Sequence, residues 1–188
     1  LWEDPEALRE MLDLKPVLRG LIDSTGPLSV SVPFYFYVLT RHAFLDAGIG
    51  DPALADYVAG VLSQRVGTEP EDVLKSIPFG LSHAADFVSI LESAHGRLRF
   101  HLQLAAGDQF LVLTGLFPGF LERRCRRRGA PGLEFYEEFA RRVYRDAADS
   151  REAPRGVPRR LLGGLSDCLP EARRSLNRLA EEFVFLGA

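Results

Sequence analysis

The sequence predicts an all-α fold: a single-domain bundle of about seven to nine helices spanning residues 1–188. Three observations carry that expectation. Tyr136, Phe139, Ala140, Val143, Tyr144 and Ala147 follow the i, i+3, i+4, i+7, i+8, i+11 rhythm of one helical face. Asp4-Pro5 and Asp51-Pro52 each place a carboxylate able to cap a helix ahead of a proline suited to its first turn. Strand-forming residues concentrate only at 28–40 and 110–113, which is too little for a sheet.

In chain order, the first helix starts at Asp4-Pro5-Glu6. The stretch 28–40 reads two ways. Leu28, Val30 and Val32 alternate with Ser29 and Ser31, and Phe34 to Val38 is rich in strand formers. A strand needs a partner, so an extended lead-in followed by a helix over 33–47 is preferred. After Asp51, the residues Leu54, Val58, Val61 and Leu62 recur on one face, and Gly67 offers a stop. Thr68-Glu69-Pro70-Glu71 has the spacing of a capping box. Segments 82–92 and 98–117 read as buried helices separated by Gly96, with Pro118 closing the second. Gly107 and Gly115 weaken that helix by about 1 kcal/mol each relative to alanine, unless close helix packing offsets the loss. Over 133–148, Glu137 and Glu138 precede Arg141 and Arg142 by four residues, worth about 0.3–0.5 kcal/mol per pair. Pro154, Gly156 and Pro158 mark a flexible surface loop near 150–160. The last helix covers 170–185, with Ala172, Leu176, Leu179, Ala180 and Phe183 inward.

Composition is that of an ordinary globular chain, 46% hydrophobic and 26% charged. A chain of 188 residues buries roughly 70% of its unfolded surface, so a core forms without metal or disulfides. The two cysteines, Cys125 and Cys168, do not make a disulfide framework and read as free thiols of a reducing, cytoplasmic compartment. Leu1-Trp2-Glu3-Asp4-Pro5 is acidic, unlike a secretory signal; whether a leader was removed ahead of it is left open. The most apolar stretch, 98–117, carries Arg99, His101 and Asp108, which argues against a membrane span. Charge is uneven: residues 1–94 carry net −8 and residues 95–188 net +5, giving −3 overall. Such asymmetry marks a basic face or two mutually attracting ends.

No motif forces a chemistry. Glu92-Ser-Ala-His95 has the Glu-x-x-His spacing of carboxylate-bridged metal bundles, which places both side chains on one helical face, but no second copy exists. His83 and Asp86 have the spacing of an oriented acid–base pair. His101, between Phe100 and Leu102, reads as a core histidine. With Tyr37 and His42, the residues His83, Asp86, Glu92 and His95 form a candidate ligand set. Buried tyrosines would find partners in His42, His83 or Asp86. The aromatics Phe34, Tyr35, Phe36, Tyr37, Phe44, Phe110, Phe117, Phe120, Phe135, Tyr136, Phe139 and Tyr144 read as core first and as an apolar pocket second. There is no nucleophile elbow, no phosphate loop around Gly163-Gly164 and no zinc spacing. No cofactor or metal is expected.

The strongest charge feature is Arg123, Arg124, Arg126, Arg127 and Arg128 around Cys125. It reads as an anion-binding candidate or as cations favoured at a helix C-terminus. The arginines would favour the thiolate of an exposed Cys125. No aromatic residues interleave with the arginines, and the chain is net acidic, so nucleic acid is disfavoured as a ligand.

The segments Phe36–Leu45, Leu54–Ala59, Leu113–Pro118, Phe135-Tyr136 and Leu179–Phe183 resemble a bacterial family of helical proteins with no assigned activity. The resemblance implies a bacterial cytosolic protein and supplies no catalytic residues. The expectation is therefore a helical module, not an enzyme, that binds a protein partner or self-associates. A pocket-bearing bundle using the His and carboxylate groups, and an anion binder using the arginines, are the alternatives.

Overall fold

In the computed structural model, residues 5–23, 30–75, 84–152 and 159–184 are described. Among them there are eleven α-helices, one terminal π turn and no strand, so the fold is all-α. The chain divides into two compact units, 1–66 and 67–188.

The first unit contains α1 (Pro5–Leu12), α2 (Lys15–Ile22), α3 (Val32–Asp46) and α4 (Pro52–Ser63). The ambiguous segment is helical from Val32 onward. Ser31 caps the helix by accepting from the Phe34 amide at 3.4 Å, and Pro33 sits in the first turn. These two residues outweigh the strand propensity of the following aromatics, because a lone strand has no ladder to join. Leu28 and Ser29 lie outside the described residues. A short connection with Gly48 at φ +80° leads from α3 to α4. There Asp51 accepts from the Ala53 amide at 2.9 Å, the cap predicted for this start. Val38, Leu39 and Phe44 of α3 pack with Leu54, Ala55, Val58, Ala59 and Leu62 of α4, all buried. On another side of α3, Leu12 and Leu21 cluster with Val38, joined by Leu8, Val17, Leu18, Tyr35 and Tyr37. α4 ends at Ser63, before Gly67, and the intervening residues form turns.

The second unit contains α5 (Pro70–Lys75), α6 (Ala84–Ser93), α7 (Gly96–Leu116), α8 (Pro118–Arg128), α9 (Leu133–Asp149), α10 (Arg159–Asp167) and α11 (Leu169–Leu179), with a π turn over Ala180–Val184. α7 is its axis. Two glycines let neighbours approach closely: a Cβ on Gly107 would stand 2.7 Å from the Tyr144 ring of α9, and one on Gly115 would stand 2.9 Å from Leu176 of α11. This is the close packing that compensates their poor helix propensity. The predicted stripe of α9 is buried at Tyr136, Ala140, Val143, Tyr144 and Ala147, with Phe139 half-buried. Asn177 of α11 donates to the Thr114 carbonyl at 2.8 Å, and Ser166 of α10 donates to the Arg141 carbonyl at 3.0 Å.

Several expectations need correction. Glu138 pairs with Arg141, three residues on, at 3.2 Å, while Glu137 pairs with Arg173 of α11. The expected i,i+4 pair of Glu137 thus gives way to a tertiary partner, and that of Glu138 to an i,i+3 neighbour in the same helix. Pro118 does not simply end α7 but opens α8, which turns away at 93°. His101 is exposed, not core, with its ring edge-on to Phe100. The Tyr144 hydroxyl donates to Asp108 at 2.8 Å, a residue not among the partners expected. Of the loop near 150–160, residues 153–158 lie outside the described residues, and Arg159 and Arg160 already belong to α10. No single described helix is long and apolar enough to cross a membrane.

Candidate functional site

Of the candidate ligand set, the described members lie at separate places in the two units. In the first unit, His42 is buried and its Nε2 lies 3.0 Å from the Leu12 carbonyl oxygen, so the ring ties α3 to the end of α1. In the second unit, Glu92 and His95 are both exposed. α6 ends at Ser93 and His95 caps α7, so the two side chains do not share a helical face. His83 and the side chain of Asp86 lie outside the described residues. Among the described residues, no group of three or more His, Cys, Asp or Glu is placed to hold a metal.

Tyr37 of the same set is half-buried. It lines a groove of about 720 Å³ with Leu8, Arg9 and Leu12 of α1, Pro33 and Phe34 of α3, and Asp51, Pro52, Ala53 and Asp56 at the start of α4. Burial pushes the Tyr37 phenol upward, against a smaller opposing effect of Arg41. The groove is largely a concavity of exposed side chains, and the Asp51 carboxylate is already committed to capping α4.

Below it lies a polar centre that local spacing does not signal. Arg41 is buried and forks onto Asp13: Nε donates to Oδ1 and Nη2 to Oδ2, both at 2.7 Å. Its Nη1 donates to the Gly50 carbonyl at 2.7 Å. One guanidinium thus joins the α1–α2 corner, α3 and the lead-in to α4. The hydrogen bond from Arg41 holds the Asp13 carboxyl below the usual carboxylate range, opposed by partial burial. Every group here is satisfied by another, which makes it a structural clamp.

The second unit presents a different arrangement. Arg123, Arg124, Arg127 and Arg128 line one pocket of about 170 Å³ with Phe120 and with Glu71 of α5. The spacing explains which arginines meet: 123/127 and 124/128 are i,i+4 neighbours, whereas Arg126 projects from another face and does not line the pocket. Leu121 and Phe120 are buried and seat α8, and Gly129 ends it at φ +61°. The Arg124 guanidinium lies over the Phe120 ring, 5.7 Å from its centroid, a contact worth about 0.5–1 kcal/mol at a partly exposed site. Across from it, burial raises the Tyr136 phenol, with Arg124 acting in the opposite direction.

Two features separate this cluster from a merely solvated helix end. Arg124 Nε is buried without a hydrogen-bond partner, one of two such side-chain atoms among the described residues, the other being Thr40 Oγ1 of α3. Among the described residues, none of the four pocket arginines closes an ion pair with Glu71 or another carboxylate. Like-charged i,i+4 pairs cost about 0.2–0.5 kcal/mol each, and the helix C-terminus returns about 0.3–1 kcal/mol per cation. The dipole thus accounts for tolerance of the charge but not for the orphaned donor. Cys125 is an exposed free thiol, and Cys168 is half-buried at the start of α11. No protein-family model, curated protein or solved structure matches this chain.

Proposed function

We propose that the chain is a non-catalytic helical binding module that recognises an anionic partner through the arginine pocket of α8. The observation that carries this reading is a pocket lined by four arginines, one of which, Arg124, has a buried Nε without a hydrogen-bond partner. A guanidinium has five donors, no acceptor and a permanent charge, so an anion with several acceptor oxygens suits a cluster of them. The absence of a recognisable catalytic motif and the consumption of His42 in a backbone contact support a binding role over catalysis. We place the protein in the cytoplasm, where exposed Cys125 stays reduced.

The test is calorimetric titration of the full chain with inorganic tripolyphosphate. Wild type is expected to bind, and Arg124→Ala to weaken binding about tenfold, the loss expected for one hydrogen bond to a charged group. Arg126→Ala removes the same charge outside the pocket and should change affinity by less than about twofold. Equal effects of the two substitutions would reduce the site to general electrostatic attraction and contradict the proposal.

A further inference from the structure

We infer that the α8 pocket selects an oxyanion that keeps a proton, inorganic phosphate or a phosphomonoester, over sulfate and over phosphodiesters. This rests on the reading of α8 as an anion site and concerns the one acidic residue that lines the pocket. Glu71 lines the same space as Arg123, Arg124, Arg127 and Arg128, yet no ion pair joins it to any of them. Charges of both signs thus line a pocket of about 170 Å³ with no ion pair between them among the described residues.

A first-turn glutamate is favoured by any helix, which explains its charge. It does not explain the gap. α5 is held in place by buried Val73 and Leu74, and by Gln109 of α7 donating to the Val73 carbonyl. Its other charged pair, Asp72 and Lys75 at 3.5 Å, satisfies itself. Glu71 is thus left as an unpaired carboxylate in a lining otherwise made of arginines and Phe120.

That pattern specifies a ligand. The guanidinium groups donate only, and an ionised carboxylate accepts only. A fully deprotonated oxyanion meets the arginines well but sets lone pair against lone pair at Glu71. An oxyanion retaining one proton accepts from the arginines and donates its O–H to Glu71, a short charge-assisted bond. Phosphomonoesters keep such a proton near their second pKa of about 6, and inorganic phosphate keeps at least one proton at any pH near neutral. Sulfate and the diesters of a nucleic-acid backbone have none to give at that pH.

The experiment compares inorganic phosphate with sulfate by calorimetry on the full chain at about pH 6, where phosphate is protonated. Charge alone favours sulfate, the more highly charged ion. The inference predicts the reverse, phosphate binding about tenfold tighter, the worth of one charge-assisted hydrogen bond. Glu71 is exposed, so Glu71→Gln leaves the fold intact. It should bring the two affinities together, chiefly by tightening sulfate. A phosphoserine peptide should behave as phosphate does and an unphosphorylated one should not bind, separating a ligand-borne phosphate from the free ion. Sulfate binding as tightly as phosphate to the wild type would overturn the inference, as would an unchanged ratio in Glu71→Gln. Either result leaves the anion site standing if tripolyphosphate still binds, whereas loss of every anion overturns both.

Discussion

Arg41→Ala is expected to destabilise the first unit by about 3 kcal/mol in a urea melt at neutral pH. Removing one partner of a buried ion pair costs about 3–5 kcal/mol, because the other is left buried and charged. Arg41 is nearly inaccessible, but the Asp13 side chain is 28% exposed and can rehydrate, which places the loss at the low end. The Gly50 carbonyl also loses its donor. Asp13→Asn tests the same clamp from the other side, since the guanidinium cannot shed its charge. A loss below about 1 kcal/mol in both would mark the pair as solvent-screened and not a clamp. The pH dependence has a fixed sign. The folded Asp13 carboxyl lies below its unfolded value, so its contribution is complete above the ordinary aspartate pKa of about 3.9. It is lost as pH falls through the lower, folded value. Asp13→Asn should lack that acid-sensitive segment of the stability curve.

Gly107→Val should cost the second unit about 3 kcal/mol, and Gly107→Ala about 1–2 kcal/mol, because packing outweighs helix propensity at this position. On propensity alone alanine gains about 1 kcal/mol over glycine. The added Cβ, however, would stand 2.7 Å from the Tyr144 ring, and that ring has no accessible surface and a hydroxyl anchored on Asp108. It cannot swing aside, so α7 and α9 must separate. Gly60 in α4 supplies the opposite sign: a Cβ there meets nothing within 4 Å. Gly60→Ala should therefore stabilise by about 0.5–1 kcal/mol. Thermal denaturation of the three variants distinguishes close packing from propensity. A stabilised Gly107→Ala would contradict the helix contact.

Legibility in the sequence follows the range of the interactions involved. The stripe of α9 was readable because period alone specifies which face is buried. The cap at Asp51 was equally local. α3 was ambiguous because aromatic and β-branched residues favour strands on propensity, and the choice turned on the lack of a partner. Three helices were not separated in advance, each for a physical reason. α2 is eight residues long and holds Gly20. Pro118 reads as a stop as readily as a start. The prolines and glycine before Arg159 masked the beginning of α10. At the candidate site, the arginine run was plain, but it put Arg126 with the other four, and Arg126 does not line the pocket. Glu71 and the Arg41–Asp13 clamp were invisible, since 28 residues separate the clamp partners and no spacing rule reaches that far. An arginine within the apolar run of α3 was the one available hint. Glu92 and His95 illustrate the converse: a correct spacing fails when the helix ends between its members.

The most direct measurement is the nuclear magnetic resonance signal of the arginine Nε–Hε groups during titration with inorganic phosphate at about pH 6. The account predicts that the Arg124 signal shifts furthest and saturates, as its unpartnered donor acquires an acceptor, while Arg126 stays nearly fixed. An unmoved Arg124, or a uniform and non-saturating drift of all the arginines of α8, would contradict it.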